Sequence, residues 1–367
     1  MSNCRRIAIN TGGGDAPGLN AVIQAVVYAA TGLGWEVFGI RDGYDGLLFP
    51  ERFREGLVRL DRDAVRDIAH LGGTILGTTN RSDPFRLRIK DAQGAVTYED
   101  RSRHVVERLG EQQIESLVAV GGDGSLAIAN GLAQQGLRVV GVPKTIDNDL
   151  ETTVLTFGFD SAVAFATECI DRLHSTAEAH RRILVVEVMG RYAGWIALNS
   201  GIAGRADAIL IPEFPYSIEK VAEHLRHRTA GAKSYGIVVV AEGAKPRDGQ
   251  ATVRAAAEGS VAERLGGIGD VIAAQLQNCT GHDCRAVVLG HLLRGGSPTA
   301  FDRLLGLSFG AAAVRALADG HRAVMVALDP PNLEYVPLSK VIERQKLVPP
   351  QGYGVLTARA LDICFGD

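Results

Sequence analysis

The chain has 367 residues, with 39 basic and 42 acidic side chains, a formal net charge of −3 and a sequence pI near 6.3. That balance offers no electrostatic basis for binding nucleic acid, and the longest apolar runs are strand-sized, too short to span a bilayer. Hydrophobic residues make up 46% and aromatic residues 6%, beside 44 glycines, which suits about two domains rich in tight strand-to-helix turns better than a sandwich core.

The opening "MSNCRRIAIN" runs directly into a strand-like stretch, without the apolar segment and cleavage site of a secretory leader, so a cytoplasmic location is expected. Cys4, Cys169, Cys279, Cys284 and Cys364 are odd in number and scattered, the usage of reduced thiols. "CTGHDC", around His282, has no second cluster to complete a tetrahedral metal set.

Along the chain, "RRIAINTGGGDAPGLNAVIQAVVYAA" reads as strand, glycine turn and helix. "TNRSDPFRLRIKDAQGAVTYED" reads as a surface loop. "ESLVAVGGDGSLAIANGLAQQG" repeats the strand–turn–helix grammar, and "LRVVGVPKTIDND" is a strand ending in a loop. A long helix near "SAVAFATECIDRLHSTAEAH" separates this block from a second one. There "RRILVVEVMGRYAGWIALNSGI", "YGIVVVAEG" and "CRAVVLGHLLRGGSP" follow the same grammar, and "AKPRDGQATVRAAAEG" reads as another surface loop. The alternation predicts an α/β fold of two Rossmann-like three-layer (αβα) halves with mainly parallel sheets. Glycines and charges fall just after the strands, where open α/β sheets bind ligands.

Three motifs carry chemistry. In "TGGGDAPGLN" the glycines let backbone N–H groups approach an anion, and the following helix adds its positive end. It is neither a Walker loop nor a clean G-x-G-x-x-G, and a plain tight turn would need the same glycines. In "GGDGS", Asp123 is placed to hold Mg²⁺, while Gly122, Gly124 and Ser125 leave room against phosphates. An aspartate cap on the next helix is the bland alternative, and lipid and NAD kinases carry similar strings. In "PKTIDND", Asp147 and Asp149 alternate to one side. A carboxylate beside a phosphoryl donor takes the proton of an attacking hydroxyl, and mutual repulsion separates the proton affinities of the pair. The alternative is an Asx-rich turn.

"GGGDAPGLN", "GGTILGTTN", "GGDGS", "PKTIDND", "VVEVMGRYAGWIAL", "VVAEGAK" and "LGHLLRGGSP", in that order, resemble the phosphofructokinase A family over roughly residues 5–330. The resemblance implies phosphoryl transfer from ATP, with Mg²⁺, to the 1-hydroxyl of fructose 6-phosphate. It makes Asp147 the general base, with Thr145 and Asp149 flanking it, and Asp123 the metal ligand. Gly14, Gly122, Gly124 and Ser125 contact the donor phosphates, and Arg191 stabilises the transferring phosphoryl group. Met189, Gly190 and Glu242 contact the sugar, and His291 and Arg294 clamp its 6-phosphate. Arg182 and Arg285 reach that phosphate from a neighbouring subunit, which implies a homo-oligomer, a dimer or tetramer with shared sites. It further implies a donor domain of residues 1–158 plus 293–345 and a sugar-phosphate domain of 159–292 plus 346–367.

The sequence departs from the family pattern at four places. Glycines at positions 124 and 144 go with ATP, whereas pyrophosphate-using relatives tend to carry Asp and Lys; this chain has Gly124 with Lys144. An aspartate at 124 would fill the α-phosphate space, while Lys144 pairs with either donor, so ATP is expected and pyrophosphate is the alternative. Asn80 stands at the donor-bridging arginine position, with Arg81 one step later. Gln24, Tyr28 and His174 replace arginines of the nucleotide-effector site, although Arg62 is retained. Leu293 stands where a polar residue is common, which leaves sedoheptulose 7-phosphate open as an acceptor. A silent sugar-phosphate sensor would lack the base or the metal ligand, and Asp147, Asp123 and Arg191 are all present.

Overall fold

The computed structural model describes residues 5–90, 96–230, 234–249, 253–255 and 264–367. Strand β1 (Arg6–Thr11) is buried at every residue after its first, as in a strand covered on both faces. It turns at Gly18 into α1 (Leu19–Gly32), followed by β2 (Glu36–Ile40), α2 (Asp45–Leu48) and β3 (Leu57–Leu60). Then come β4 (Leu87–Lys90), β5 (Val96–Glu99), α3 (Ser102–Glu111), β6 (Ile114–Gly121), α4 (Asp123–Gln134) and β7 (Arg138–Pro143). The long helix α5 (Phe159–His180) opens a second run of β8 (Ile183–Val188), α6 (Trp195–Ala203), β9 (Ala208–Leu210), α7 (Ile218–Thr229) and β10 (Gly236–Ala241). It continues through β11 (Val253–Ala255), β12 (Arg264–Leu265), α8 (Ile268–Thr280) and β13 (Cys284–Val288). A short 3₁₀ turn, Gly290–Arg294, precedes α9 (Ala300–Ala318), β14 (Val324–Asp329), β15 (Asn332–Pro337), α10 (Leu338–Val341) and α11 (Tyr353–Ala360).

Two main sheets result, as the strand–helix alternation predicts. The larger has seven strands in the order β15-β14-β7-β6-β1-β2-β3, parallel except for its two edge strands. The smaller has four parallel strands, β13-β8-β10-β9. After the second run the chain returns to the first sheet, where Val324 of β14 pairs with Val140 of β7. The C-terminal segment lies on the second, with Cys364 bridged to Ala208 of β9. Each sheet is sandwiched by apolar clusters: Val22, Val26, Phe309 and Ala313 on one face of the larger, Leu117, Leu126, Val139 and Leu338 on the other.

The stretch expected as a surface loop from Thr79 contains an antiparallel hairpin, β4 with β5. Its polar residues conceal a buried Leu87 and an Arg86 guanidinium 4.7 Å from the Tyr98 ring, contacts that pay for the pairing. Part of the second expected loop, "AKPRDGQATVRAAAEG", lies outside the described residues, as does Cys4. The other four cysteines are free. Among the described residues no helix is long and apolar enough to cross a membrane.

Candidate active site

Strands β1, β6 and β7 are neighbours in the larger sheet, so the loops leaving their carboxyl ends meet. The Gly12 N–H donates to Val120 (2.9 Å) and the Lys144 N–H to Gly121 (3.0 Å), which locks the three loops together. They enclose a cavity of about 320 Å³. Gly14, Gly122, Asp123, Gly124 and Ser125 line it together with Lys144, Thr145, Asp147, Asp149 and Arg294. Asp123 is the first residue of α4, with its carboxylate accepting from the Gly124 N–H at 2.7 Å.

The pair Asp147 and Asp149 does share one cavity, but not through strand alternation. Asn148 between them adopts a left-handed conformation (φ 51°), so the segment is a turn. Its side-chain carbonyl accepts from the Thr156 N–H at 3.2 Å, which fixes the turn's shape. Burial pushes the Asp147 carboxyl above its ordinary range; Arg294 opposes this, and Glu242 and Asp123 reinforce it. Its Oδ1 is buried with no hydrogen-bond partner among the described residues. Burial, then repulsion from Asp147 and Asp123, pushes Asp149 up to about 7.

Lys144 is only 3% exposed and donates from Nζ to the Gly14 carbonyl. Burial and the nearby Arg294 charge push it down to about 8. The lysine therefore braces the glycine turn from beneath. Arg294 lies over the same turn, with Nη1 donating to the Asp15 carbonyl at 3.0 Å.

Met189, Gly190 and Arg191 follow β8, and Glu242 follows β10, the neighbouring strand. The Glu242 N–H donates to Val188 (2.9 Å) and the Gly243 N–H to Gly190 (3.0 Å), so the two loops cross closely. Burial raises the Glu242 carboxyl, with Arg191 opposing it. A Cβ on Gly243 would sit 1.9 Å from the Arg191 carbonyl oxygen, a backbone atom that has no room to move. Gly243→Ala is therefore expected to displace the Arg191 loop, costing about 1–3 kcal/mol in stability and at least tenfold in turnover. Thermal unfolding and steady-state kinetics of that one variant check both.

Not every expected residue reaches this cavity. Asn80 lines it, while Arg81 is exposed outside it, its N–H on Thr79. His291 is exposed on the 3₁₀ turn. Leu293 does not shape the pocket: it is 1% exposed and packs in the core beside Val188 and Leu289. Arg182 and Arg285 sit at the amino ends of β8 and β13, the opposite end from Met189, and both pair with Asp283. Within one chain they do not meet the cavity. His174 is buried, its ring bonded to the Gly204 carbonyl at 2.7 Å, and Arg62 is tied to Thr31 and Tyr28. Gln24 donates to the Arg66 carbonyl.

Sequence reasoning missed Thr79, Ser82, Asp83 and Ile128, which also line the cavity. Thr79 lies inside a recognised motif and opens the stretch expected as a surface loop, in which Ser82 and Asp83 also fall.

A glycine-lined strand end beside an aspartate pair and an arginine, in an α/β fold, is an arrangement suited to a phosphate-bearing ligand. A family model described as phosphofructokinase matches residues 6–317. The chain is 49% identical over 367 residues to an ATP-dependent 6-phosphofructokinase of Chloroflexus aggregans, covering 100% of this chain and 99% of the relative. It is 47% identical over 351 residues to a pyrophosphate–fructose 6-phosphate 1-phosphotransferase of Amycolatopsis methanolica, covering 95% and 97%. The solved phosphofructokinase of Saccharomyces cerevisiae superposes with a TM-score of 0.76 at 30% identity, over 92% of this chain, which spans 45% of the yeast one. The chain belongs to the phosphofructokinase family.

Proposed function

We propose that the chain is an ATP-dependent 6-phosphofructokinase that phosphorylates the 1-hydroxyl of fructose 6-phosphate in cytoplasmic glycolysis. The observation that carries this reading is the shared cavity: Asp147, whose buried Oδ1 has no hydrogen-bond partner among the described residues, lines it with Asp123, Gly124 and Ser125. A base without a partner inside such a cavity is poised to accept a substrate proton. Residues 1–158 with 293–345 would bind the donor, and 159–292 with 346–367 the sugar phosphate.

A divalent cation fits the site's electrostatics. Asp123, Asp147 and Asp149 repel one another, an excess of negative charge suited to a hard divalent cation. Mg²⁺ commonly takes one or two carboxylates together with substrate phosphates, and Asp123 is the proposed ligand. When bound, it would neutralise charge on the donor phosphates. Asp147 removes the 1-hydroxyl proton, Thr145 fixes the Asp147 backbone through its hydroxyl (3.1 Å from the Asp147 N–H), and Arg191 balances charge at the transferred group. Met189, Gly190 and Glu242 orient the sugar. His291 and Arg294 receive its 6-phosphate, Arg294 leaving the Asp15 carbonyl to do so. Arg182 and Arg285, at the far end of their sheet, would serve a neighbouring subunit of a homo-oligomer.

The donor reading rests on Gly124, whose added Cβ would meet nothing within 4 Å. Lys144 and the 47% identical pyrophosphate-dependent relative favour the second reading, pyrophosphate as donor. Purified protein with fructose 6-phosphate and Mg²⁺ decides between them. Turnover is expected with ATP and at most about a hundredth of it with pyrophosphate. Turnover with pyrophosphate alone makes Lys144 the discriminating residue, and silence with both points to another ketose phosphate, such as sedoheptulose 7-phosphate, or to a sensor.

A further inference from the structure

The segment between β15 and α11 passes behind the Asp147–Asp149 turn. Its Lys346 uses all three ammonium donors on that turn and its exit: Nζ lies 2.9 Å from Asn148 Oδ1, from the Thr153 carbonyl and from the Val154 carbonyl. The Lys346 N–H donates to the Asp149 carbonyl at 2.8 Å, and Gln345 forms an antiparallel bridge with Leu150. On its other side the segment grips the loop that follows Arg191. The Trp195 indole N–H donates to the Lys346 carbonyl at 2.8 Å. Glu213 accepts from the Val348 N–H at 2.9 Å and from the Gly194 N–H at 3.0 Å.

We infer that Lys346 is a positioning residue: it holds Asn148 in its left-handed conformation and so fixes the relative aim of Asp147 and Asp149, while its segment ties that turn to the Arg191 loop. The inference rests on the phosphoryl-transfer reading of Asp147 and deepens it. Three hydrogen bonds from a half-buried ammonium are a specific restraint, because no neutral side chain of that length supplies three donors. The residue it restrains sits at φ 51°, a conformation asparagine tolerates but does not enforce, so its Oδ1 contacts select it. Without the lysine, Asn148 retains only the Thr156 N–H at its Oδ1 among the bonds described.

Steady-state kinetics of Lys346→Met, Asn148→Gly, the double variant and Lys346→Arg test this. Misaim of a base by about an ångström costs up to about 100-fold. Lys346→Met is expected to lower kcat by about 10- to 100-fold, with KM for ATP and for fructose 6-phosphate within about threefold. Asn148→Gly removes the Oδ1 acceptor and should lose turnover too, and the double variant should be no worse than the poorer single, because Lys346 acts on the two carboxylates through Asn148. Lys346→Arg should recover most of the turnover, since Lys346 borders a cavity of about 530 Å³ that has room for a guanidinium. A Lys346→Met protein with lowered melting temperature but unchanged kcat, or a double variant whose loss multiplies the two singles, overturns the assignment. If Lys346→Met does not fold, wild-type kcat in Asn148→Ala, which removes the Oδ1 acceptor without glycine's freedom at positive φ, overturns it instead. An inactive wild-type protein would overturn the functional reading and this one with it, whereas the variant outcomes above overturn this one alone.

Discussion

Asp147→Asn is expected to lower kcat by about 10³- to 10⁴-fold while leaving the melting temperature at pH 8 unchanged or raised. The first half follows from the role of a general base, whose removal costs up to about 10⁴-fold, or about 5 kcal/mol of barrier. The amide keeps the shape of the carboxylate, so KM for fructose 6-phosphate should move little. The second half follows from burial. Asp147 and Asp149 have raised folded-state values, Asp149 from 3.8 to about 7, so each prefers to be protonated in the folded protein. A raised value contributes stability below the unfolded value and loses it as pH climbs through the folded one. For Asp149 that window runs from about 4 to about 7. At pH 8 Asp149 is ionised at a cost and burial disfavours charge on Asp147, so a neutral amide at 147 relieves both penalties. The raised Asp147 value sets an acid limb: activity of the wild-type protein should fall as pH drops and the base becomes protonated. Kinetics from pH 6 to 9, paired with thermal unfolding at pH 5 and 8, examine both halves. A variant that loses stability at pH 8 along with activity would mean that Asp147 holds the turn instead of accepting a proton.

The parts of this site that were legible in the sequence are those specified within a few residues. "GGDGS" encodes a strand end, a helix start and a carboxylate in five letters, and the structure places Asp123 at the first turn of α4 with Gly124 open to the cavity. "PKTIDND" puts both carboxylates in one cavity by another geometry, since a left-handed Asn148 does what strand alternation was expected to do. Long-range partners left no local trace. Lys346 lies 198 residues from Asn148, in a polar stretch with no glycine signature, and only the tertiary fold brings its ammonium to the turn. Leu293 shows the converse: a residue next to functional ones in sequence points into the core because the 3₁₀ turn places His291 and Leu293 on different faces. The hairpin of β4 and β5 was hidden because its stabilising contacts pair charged side chains with an aromatic ring, and periodicity reads only apolar patterns.

Gly124→Asp is expected to abolish most ATP turnover, at least about 100-fold in kcat/KM, while leaving the fold intact. An aspartate here meets no steric obstacle, because an added Cβ has nothing within 4 Å. As the second residue of α4 it is also favoured by the helix dipole, so thermal stability should hold or rise slightly. The side chain must then project into the cavity, beside Asp123, where it would occupy and charge the space that the donor's third phosphate needs. Like charges at about 4 Å repel by about 4 kcal/mol at an effective dielectric of 20, more than enough for the expected loss. Pyrophosphate, with two phosphates, needs less of that space, and Lys144 braces the glycine turn whichever donor lies against it. The ratio of pyrophosphate to ATP turnover should therefore rise by at least tenfold even if absolute rates fall. Parallel kcat/KM determinations with the two donors measure that ratio directly. An unchanged ratio would place the α-phosphate elsewhere in the cavity and return the choice of donor to Asn80 and Lys144, which line it from other sides.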